Sequence, residues 1–261
     1  MILAIDAGNS RTKWGVFDEA GELKTHGAFL NGELHDADIP VAWQSCQRVV
    51  ISNVAGPSIS QTLDAMLQPF AIPVHWAVAT AQACGVKNSY EQPQQLGSDR
   101  WAALIAAWQH YHAPCVVVNA GTALTIDALG FDRWDLDTVS SIGTFLGGMI
   151  LPGFSLMQLS LTQSTADISS RLQHEVEDNW QDFPTNTNAA LHTGALTAMA
   201  AAIEAMYARL QQHEGKSPYC VLSGGDAVLL ADMLSGDIAK HLVIADNLVL
   251  QGLLLIERES T

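Results

Sequence analysis

Positive charge is scarce in this chain of 261 residues. Lys and Arg together number 12 against 27 Asp and Glu, which gives a formal net charge of −15. Binding to a nucleic acid draws on clustered Lys and Arg, so this balance argues against a nucleic-acid partner. A phosphate-binding site in this chain must instead depend on Mg²⁺, backbone amides and a few well-placed cations.

Cysteine and long apolar runs are also rare. The four cysteines are Cys46, Cys84, Cys115 and Cys220. They show no CxxC spacing and no secretory segment precedes them, which argues against both a zinc site and a disulfide framework. No run approaches the roughly 18 apolar residues of a membrane span, and the opening MILAIDAG is predicted to be a strand rather than a signal peptide. These absences predict a soluble cytoplasmic protein without a membrane partner.

One pattern in the chain occurs twice. Residues 2–13 are ILAIDAGNSRTK and residues 115–126 are CVVVNAGTALTI, so an alignment without a gap places Asp6 on Asn119 and Thr12 on Thr125. Each copy is an apolar strand that breaks at a glycine, where backbone N–H groups become available to a phosphate. Two such turns predict a duplicated fold with a nucleotide between its halves.

The order of predicted elements supports this duplication. Three antiparallel strands precede alternating helices and strands, and the same series then begins again at residue 115, with a loop over 85–97, an insertion at 130–142 and a terminal helix from residue 248. The pattern predicts an α/β fold of two ribonuclease-H-like domains. We place these domains at 1–112 and 113–261, and leave open that the terminal helix crosses back.

The first turn offers ligands for a metal and a phosphate. Asp6 ends a strand where a carboxylate can hold Mg²⁺, which prefers few carboxylates together with phosphate oxygens. Asn9, Ser10 and Thr12 offer hydrogen-bond donors, and Lys13 offers a point charge for a terminal phosphate. The alternative is an ordinary hairpin with an Asx-stabilised turn.

The segment LGSDR at 96–100 offers groups for a second substrate. Asp99 and Arg100 stand where a glycine-containing loop becomes a helix. The carboxylate can orient a substrate hydroxyl, and the guanidinium can bind a carboxylate or a phosphate. The alternative is a solvated capping pair.

The second turn differs from the first in charge. Gly121, Thr122 and Thr125 are available for phosphate oxygens, but Asn119 is uncharged, so this copy is predicted to supply hydrogen bonds rather than a metal ligand. The glycines at 147–148, 153 and 224–225 are predicted to mark tight turns or close backbone approaches.

Taken together, these motifs resemble those of the type III pantothenate kinases, also described as Bvg accessory factor proteins. The resemblance depends on the joint order of DAGNSRTK, Tyr90 with LGSDR, AGTALT and GTFLGGMILPG, and it covers the chain from Ile2 to about Gly252. It implies the acetate and sugar kinase/Hsp70/actin superfamily. It also implies transfer of the ATP γ-phosphate to the primary hydroxyl of pantothenate, the first step of coenzyme A biosynthesis.

The resemblance also implies roles for individual residues. Asp99 is the expected general base. The expected ATP and phosphate ligands are Asp6, Gly8, Asn9, Ser10, Lys13, Gly121, Thr122, Ala123, Gly224 and Gly225. The expected pantothenate ligands are Tyr90, Gly97, Ser98, Arg100 and Thr187, the last of these reaching the pocket from a partner subunit. The family is dimeric, with the substrate pocket near the interface, and it uses Mg²⁺ and a monovalent cation, K⁺ or NH₄⁺.

Two departures from the family pattern bear on these roles. The second phosphate motif usually opens with Asp and here opens with Asn119, and the insertion at 130–142 affects Asp127 as a K⁺ ligand. Two alternatives to a pantothenate kinase remain. One is a kinase for another small hydroxyl or carboxylate substrate, and the other is a nucleotide-binding regulatory protein with a weakened catalytic site.

Overall fold

The computed structural model describes residues 1–131, 142–164 and 180–260. The chain divides into two compact units. The first comprises Met1–His112, Phe131–Leu146 and Asn247–Thr261, and the second comprises Ala113–Gly130 and Gly147–Asp246.

The described elements alternate between strands and helices after an opening run of three strands. The strands are β1 (Ile2–Ala7), β2 (Arg11–Phe17), β3 (Leu23–Leu30), β4 (Arg48–Asn53), β5 (Val74–Trp76), β6 (Gln82–Ala83), β7 (Val86–Asn88), β8 (Cys115–Ala120), β9 (Ala123–Phe131), β10 (Gly143–Pro152), β11 (Tyr219–Ser223) and β12 (Leu242–Ile244). The α-helices are α1 (Pro57–Leu67), α2 (Ser98–Tyr111), α3 (Phe154–Ser164), α4 (Thr187–Glu214), α5 (Ala227–Ala231), α6 (Asp237–Lys240) and α7 (Leu248–Glu259).

The first unit is built on a sheet with the strand order β3-β2-β1-β4-β5. β1 is antiparallel to β2 and parallel to β4. Five of the six residues of β1 are buried, which explains its nearly continuous apolar sequence, because a central strand is covered on both faces. The core on one side includes Leu3, Ile5, Trp14 and Trp43.

The terminal helix α7 belongs to the first unit. It packs against α2 and β1, and a Cβ atom on Gly252 would lie 1.8 Å from the Ala102 backbone oxygen. Only glycine permits so close a helix approach. The division predicted from the sequence, 1–112 and 113–261, therefore differs from the compact units in α7 and in residues 143–146 at the start of β10, because both segments belong to the first unit.

The second unit repeats the strand arrangement of the first. β8 is antiparallel to β9 and parallel to β11, which is parallel to β12, and β10 lies beside β9. The order β10-β9-β8-β11-β12 therefore matches β3-β2-β1-β4-β5. The match extends to single residues, because Asp6 is paired with Ser52 in one unit and Asn119 with Ser223 in the other. This is the arrangement expected of duplicated ribonuclease-H-like domains.

The two glycine turns are nevertheless unequal in length. Ala7 is paired with Thr12 in the first unit, whereas Ala120 is paired with Leu124 in the second. The Gly8 N–H donates to the Arg11 carbonyl at 3.1 Å, while the Gly121 N–H donates to the Ala123 carbonyl, one residue nearer, at the same distance. The second turn is thus one residue shorter. The ungapped alignment of Thr12 with Thr125 is wrong, because Leu124 occupies the position of Thr12 in the strand pairing.

The segment predicted as a loop over 85–97 contains a strand. β7 is antiparallel to β6 and parallel to the first three residues of β10. Val86 is fully buried. The strand was not predicted from the sequence because the nearby Gly and Asn residues are typical of a loop. Most of the insertion predicted at 130–142 lies outside the described residues.

Among the described residues, one helix passes a length and composition test for crossing a membrane. It is α4, with 28 residues and a mean hydropathy of 1.2 over its best window. One side of α4 supplies Leu196, Met199, Ile203 and Leu210 to the core of the second unit. A core helix passes the same test, so this finding is weak support for a membrane span.

Candidate active site

In the first unit, Asp6 stands at the end of β1 with an unsatisfied oxygen. Its Oδ1 atom is buried and has no hydrogen-bond partner among the described residues. The pKa of Asp6 is raised to about 7. Burial is the largest cause, and the negative charge of Asp99 adds to it, while the positive charge of Lys13 lowers the pKa in part. Lys13 lies on β2, directly opposite Asp6 on the neighbouring strand β1. A buried acceptor of this kind is stabilised by a proton or by a cation.

The turn that follows Asp6 is held by Asn31, just after β3. The Asn31 Nδ2 atom donates to the Gly8 carbonyl at 2.7 Å and to the Asn9 carbonyl at 3.1 Å. The Thr12 hydroxyl donates to Asn31 Oδ1 at 2.9 Å. Sequence reasoning missed Asn31, because an Asn before a Gly is typical of any turn and nothing in the sequence pairs it with residues 8–12.

The N-terminus of α2 presents Asp99. Burial raises the pKa of Asp99 above its ordinary value, and a hydrogen bond from the Arg100 backbone N–H to Asp99 Oδ1, at 2.8 Å, opposes the shift. A Cβ atom on Gly97 would lie 2.6 Å from Asp99 Oδ1. Glycine at position 97 therefore leaves the space that the Asp99 carboxylate occupies.

A buried serine pair fixes this helix end to the sheet. The Ser98 and Ser52 hydroxyl oxygens lie 2.8 Å apart. Ser52 is the second-last residue of β4 and is paired with Asp6, so the serine pair connects the end of β1 that carries Asp6 to the helix that carries Asp99. Ser98 was predicted to bind substrate, and the structure shows its hydroxyl engaged with Ser52. The serines at equivalent positions in VISN (50–53) and VLSG (221–224) are the sequence signal for Ser52.

Arg100 is buried between aromatic rings. Its Nη1 atom donates to the Tyr90 hydroxyl at 3.3 Å, and the guanidinium carbon lies 6.0 Å from the Tyr90 ring centre and 5.8 Å from that of Phe145. The two rings are 5.2 Å apart. These contacts hold the guanidinium in place before a substrate arrives. Phe145 was missed as an individual residue, although its motif GTFLGG was identified.

In the second unit, two glycines are packed against the second turn. A Cβ atom on Gly153 would lie 1.9 Å from the Gly121 backbone oxygen, and one on Gly224 would lie 2.2 Å from the Ala120 backbone oxygen. Gly224 also has a φ of 102°, which strongly favours glycine. The Gly153 N–H donates to the Thr122 carbonyl at 2.9 Å. A side chain at position 153 or 224 would collide with the backbone of this turn, so glycine is required at both positions.

The remaining predicted residues of the second unit are Gly225, Asp127 and Thr187. Gly225 lies next to this turn, because the N–H of the following residue, Asp226, donates to the Ala120 carbonyl at 3.2 Å. Gly225 has open space beside it. Asp127 is buried within β9, opposite Val117 on β8. Thr187 begins α4, immediately after the capping residue Asn186, and it lines a groove of about 460 Å³ between α3 and α4.

The described residues contain no group of three His, Cys, Asp or Glu side chains that could hold a metal by itself. Mg²⁺ differs from zinc in this respect, because it is commonly held by one or two carboxylates with water and substrate phosphates. The buried, unpartnered oxygen of Asp6 suits such a site. The donor set therefore fits Mg²⁺ brought with a nucleotide.

The family profile and two related sequences that match this chain carry the same description. The profile of the type III pantothenate kinase family matches residues 2–209. A type III pantothenate kinase of Methylobacillus flagellatus is 46% identical over 259 residues, covering 98% of both chains. Another, of Nitrosospira multiformis, is 41% identical and covers all of this chain and 92% of its own length.

Comparison with solved structures supports the fold. A Baf family transcriptional activator from Campylobacter jejuni superposes with a TM-score of 0.59 at 22% identity, over 99% of this chain and 98% of that chain. A ROK family glucokinase from Streptomyces griseus gives a TM-score of 0.52 at 12% identity, over 99% of both chains. These likenesses concern the fold alone, and they support the predicted α/β fold. With the sequence matches, they show that this chain belongs to the type III pantothenate kinase family.

Proposed function

We propose that this protein is a pantothenate kinase, which transfers the γ-phosphate of ATP to the primary hydroxyl of pantothenate and yields 4′-phosphopantothenate for coenzyme A biosynthesis. Beyond membership of the family, one observation carries the proposal. Asp6 is paired with Ser52, whose hydroxyl oxygen lies 2.8 Å from that of Ser98, the residue before Asp99. This arrangement brings a carboxylate suited to binding a metal near a carboxylate suited to orienting a hydroxyl.

Asp99 is proposed as the general base. Phosphoryl transfer depends mostly on positioning and charge stabilisation, with a loose transition state. A carboxylate is far too weak a base to deprotonate an alcohol in advance. Asp99 instead orients the pantothenate hydroxyl and accepts its proton late, as the new P–O bond forms. The raised pKa of Asp99 makes it a better acceptor than an exposed aspartate.

The ATP phosphates are proposed to lie at the two glycine turns. Asp6 holds Mg²⁺, while Gly8, Asn9, Ser10 and Lys13 serve the first phosphate motif. A bound Mg²⁺ supplies charge neutralisation for the phosphates. In the second unit the ligands are Gly121, Thr122 and Ala123 at the turn and Gly224 and Gly225 on the adenosine side. Asp127 is the proposed ligand of a monovalent cation, K⁺ or NH₄⁺.

Pantothenate is proposed to bind around Arg100. Its carboxylate suits a guanidinium that Tyr90 and Phe145 already hold in place, and a planar guanidinium recognises a carboxylate with two parallel hydrogen bonds. Gly97 and Ser98 shape the same pocket. Thr187 is proposed to approach it from the partner subunit.

The experiment that tests this function is a coupled assay for ADP release by the purified protein. We expect release only when pantothenate is present, and faster release with K⁺ than with Na⁺. Glucose and acetate in place of pantothenate serve as controls. Release driven by either control compound and not by pantothenate would instead identify a kinase for another substrate.

The alternative, a nucleotide-binding regulator with a weakened site, has no observation in its favour. The chain has all four candidate residues of the site, Asp6, Lys13, Asp99 and Arg100. The charges of Lys13 and Asp99 both act on the pKa of Asp6. The same assay decides the matter. Binding of ATP without any pantothenate-dependent release of ADP would favour the regulator.

The protein is also proposed to be a homodimer through its α3 face. Leu156, Leu159 and Leu161 on α3 are 41%, 48% and 46% exposed, and Phe183 is 87% exposed. Leu161 also lines the groove between α3 and α4 that Thr187 lines. Exposed apolar residues on a surface mark an interface. We propose a second copy of this chain as the partner, because Thr187 is expected to reach the pantothenate pocket of the other subunit. The protein is also proposed to be cytoplasmic.

We expect Leu159→Asp to convert the dimer to a monomer, because it places a charge within an apolar interface. Sedimentation velocity measures the change. Val41→Asp is the matched control, since Val41 is 77% exposed and lies in the first unit. A dimer that withstands Leu159→Asp as well as it withstands Val41→Asp would remove the α3 face from the proposal.

A further inference from the structure

Asn31 makes more contacts with the first glycine turn than any sequence pattern indicates. Its side-chain amide donates to the carbonyls of both Gly8 and Asn9, at 2.7 and 3.1 Å. Its backbone N–H donates to the Ser10 carbonyl at 3.1 Å. Three successive carbonyls of the turn therefore face one residue. The Thr12 hydroxyl, on the far side of the turn, donates to Asn31 Oδ1 at 2.9 Å and fixes which way the amide points.

This arrangement determines where the turn's N–H groups point. In a trans peptide the C=O and N–H bonds point in opposite directions, and the chain has no cis peptide bond in the part that the structure describes. The Gly8 carbonyl shares its peptide with the Asn9 N–H, and the Asn9 carbonyl shares its peptide with the Ser10 N–H. Because Asn31 holds both carbonyls, both N–H groups are directed away from Asn31.

The Gly8 N–H is not available to a ligand, since it donates to the Arg11 carbonyl. The Asn9 N–H is thus the next donor in the turn. Successive backbone N–H groups with a common direction form an anion-binding concavity. Their direction depends on one side chain outside the motif.

We propose that Asn31 is a positioning residue for ATP, which holds the first turn so that the Asn9 N–H is presented to phosphate oxygens. The inference rests on the proposed function for the identity of the nucleotide. It assigns Asn31 to ATP and not to pantothenate, because its described contacts are all with the turn.

Asn31→Asp tests the proposal most directly. The carboxylate keeps the shape and still accepts from Thr12, but it cannot donate to the two carbonyls, which it instead repels. We expect the KM for ATP, and the Kd of a non-hydrolysable ATP analogue, to rise about 10-fold or more. We expect the KM for pantothenate to stay within about twofold, with kcat changed less than the KM for ATP. Equal rises in both KM values, or an unchanged Kd, would overturn the proposal.

Two further variants keep the test decisive. Thr12→Val removes only the donor that orients the Asn31 amide, and we expect a smaller loss of ATP affinity in the same direction. His26→Ala, an exposed position on β3, is expected to leave both KM values unchanged. The direct Kd measurement needs no turnover. If the parent protein binds the analogue but releases no ADP with pantothenate, the proposed function fails while the role of Asn31 is still tested.

Discussion

Replacement of Asp99 by asparagine is expected to lower kcat by about 10²–10⁴ and to change the KM for pantothenate little. Asparagine preserves the size of the side chain and an oxygen that can accept from the Arg100 N–H, as Asp99 Oδ1 does at 2.8 Å. It cannot take the proton that leaves the substrate hydroxyl as phosphate is transferred. The loss therefore falls on the chemical step, and steady-state kinetics at saturating ATP measures it.

Asp64→Asn is the matched control for this experiment. Asp64 is an exposed residue of α1 in the same unit, so the same change of charge there tests for general electrostatic effects. We expect the control to keep full activity. Turnover by Asp99→Asn within a few-fold of the parent protein would remove Asp99 from the role of base.

Replacement of Asp6 by asparagine is expected to lower kcat/KM by about 10²–10³, because the proposed Mg²⁺ ligand is lost. The same change is expected to stabilise the protein at pH 8 in the absence of metal. The folded chain raises the pKa of Asp6 from 3.8 to about 7, so above pH 7 it holds a buried, unpartnered charge. Asparagine is neutral there at every pH.

The pH dependence of this stabilisation follows from proton linkage. Between the unfolded pKa of 3.8 and the folded value of about 7, the folded state binds more protons than the unfolded state. Stability of the parent protein therefore falls as the pH rises through this window. We expect the advantage of Asp6→Asn to grow from less than about 1 kcal/mol at pH 4 to on the order of 4 kcal/mol at pH 8.

Urea unfolding at pH 5 and pH 8, without Mg²⁺, measures this difference in the free energy of unfolding. Asp64→Asn again serves as the control, and its effect is expected to be the same at both values. An Asp6→Asn protein that is less stable than the parent at pH 8 would contradict the account of Asp6 as a destabilising, functional carboxylate.

Local patterns were sufficient to predict much of the fold. The apolar runs that break at Gly8 and Gly121 predicted two hairpins, and the return of the same series predicted the duplication that the strand order confirms. The helix beginning at Ser98 was evident from its apolar spacing and the preceding glycine. In each case the signal lies within a few consecutive residues, where propensity and turn chemistry act directly.

The features that were missed depend on residues far apart in the chain. Asn31 contacts a turn more than 20 positions earlier, Ser52 meets Ser98, and α7 packs on α2. The one-residue difference between the turns escaped the ungapped alignment because Thr125 resembles Thr12 in type but not in strand pairing. Tertiary contacts of this kind leave no periodicity in the sequence.

The packing of α7 has a consequence for the synthesis of the protein. Residues 248–259 are synthesised after the whole of the second unit, yet they cover α2 and β1 in the first unit. The buried face of α7, with Leu250, Leu253 and Leu254, is therefore missing while the rest of that unit emerges. The first unit therefore cannot complete its core until the second unit has been synthesised, and the nascent chain meanwhile exposes apolar surface to which chaperones bind.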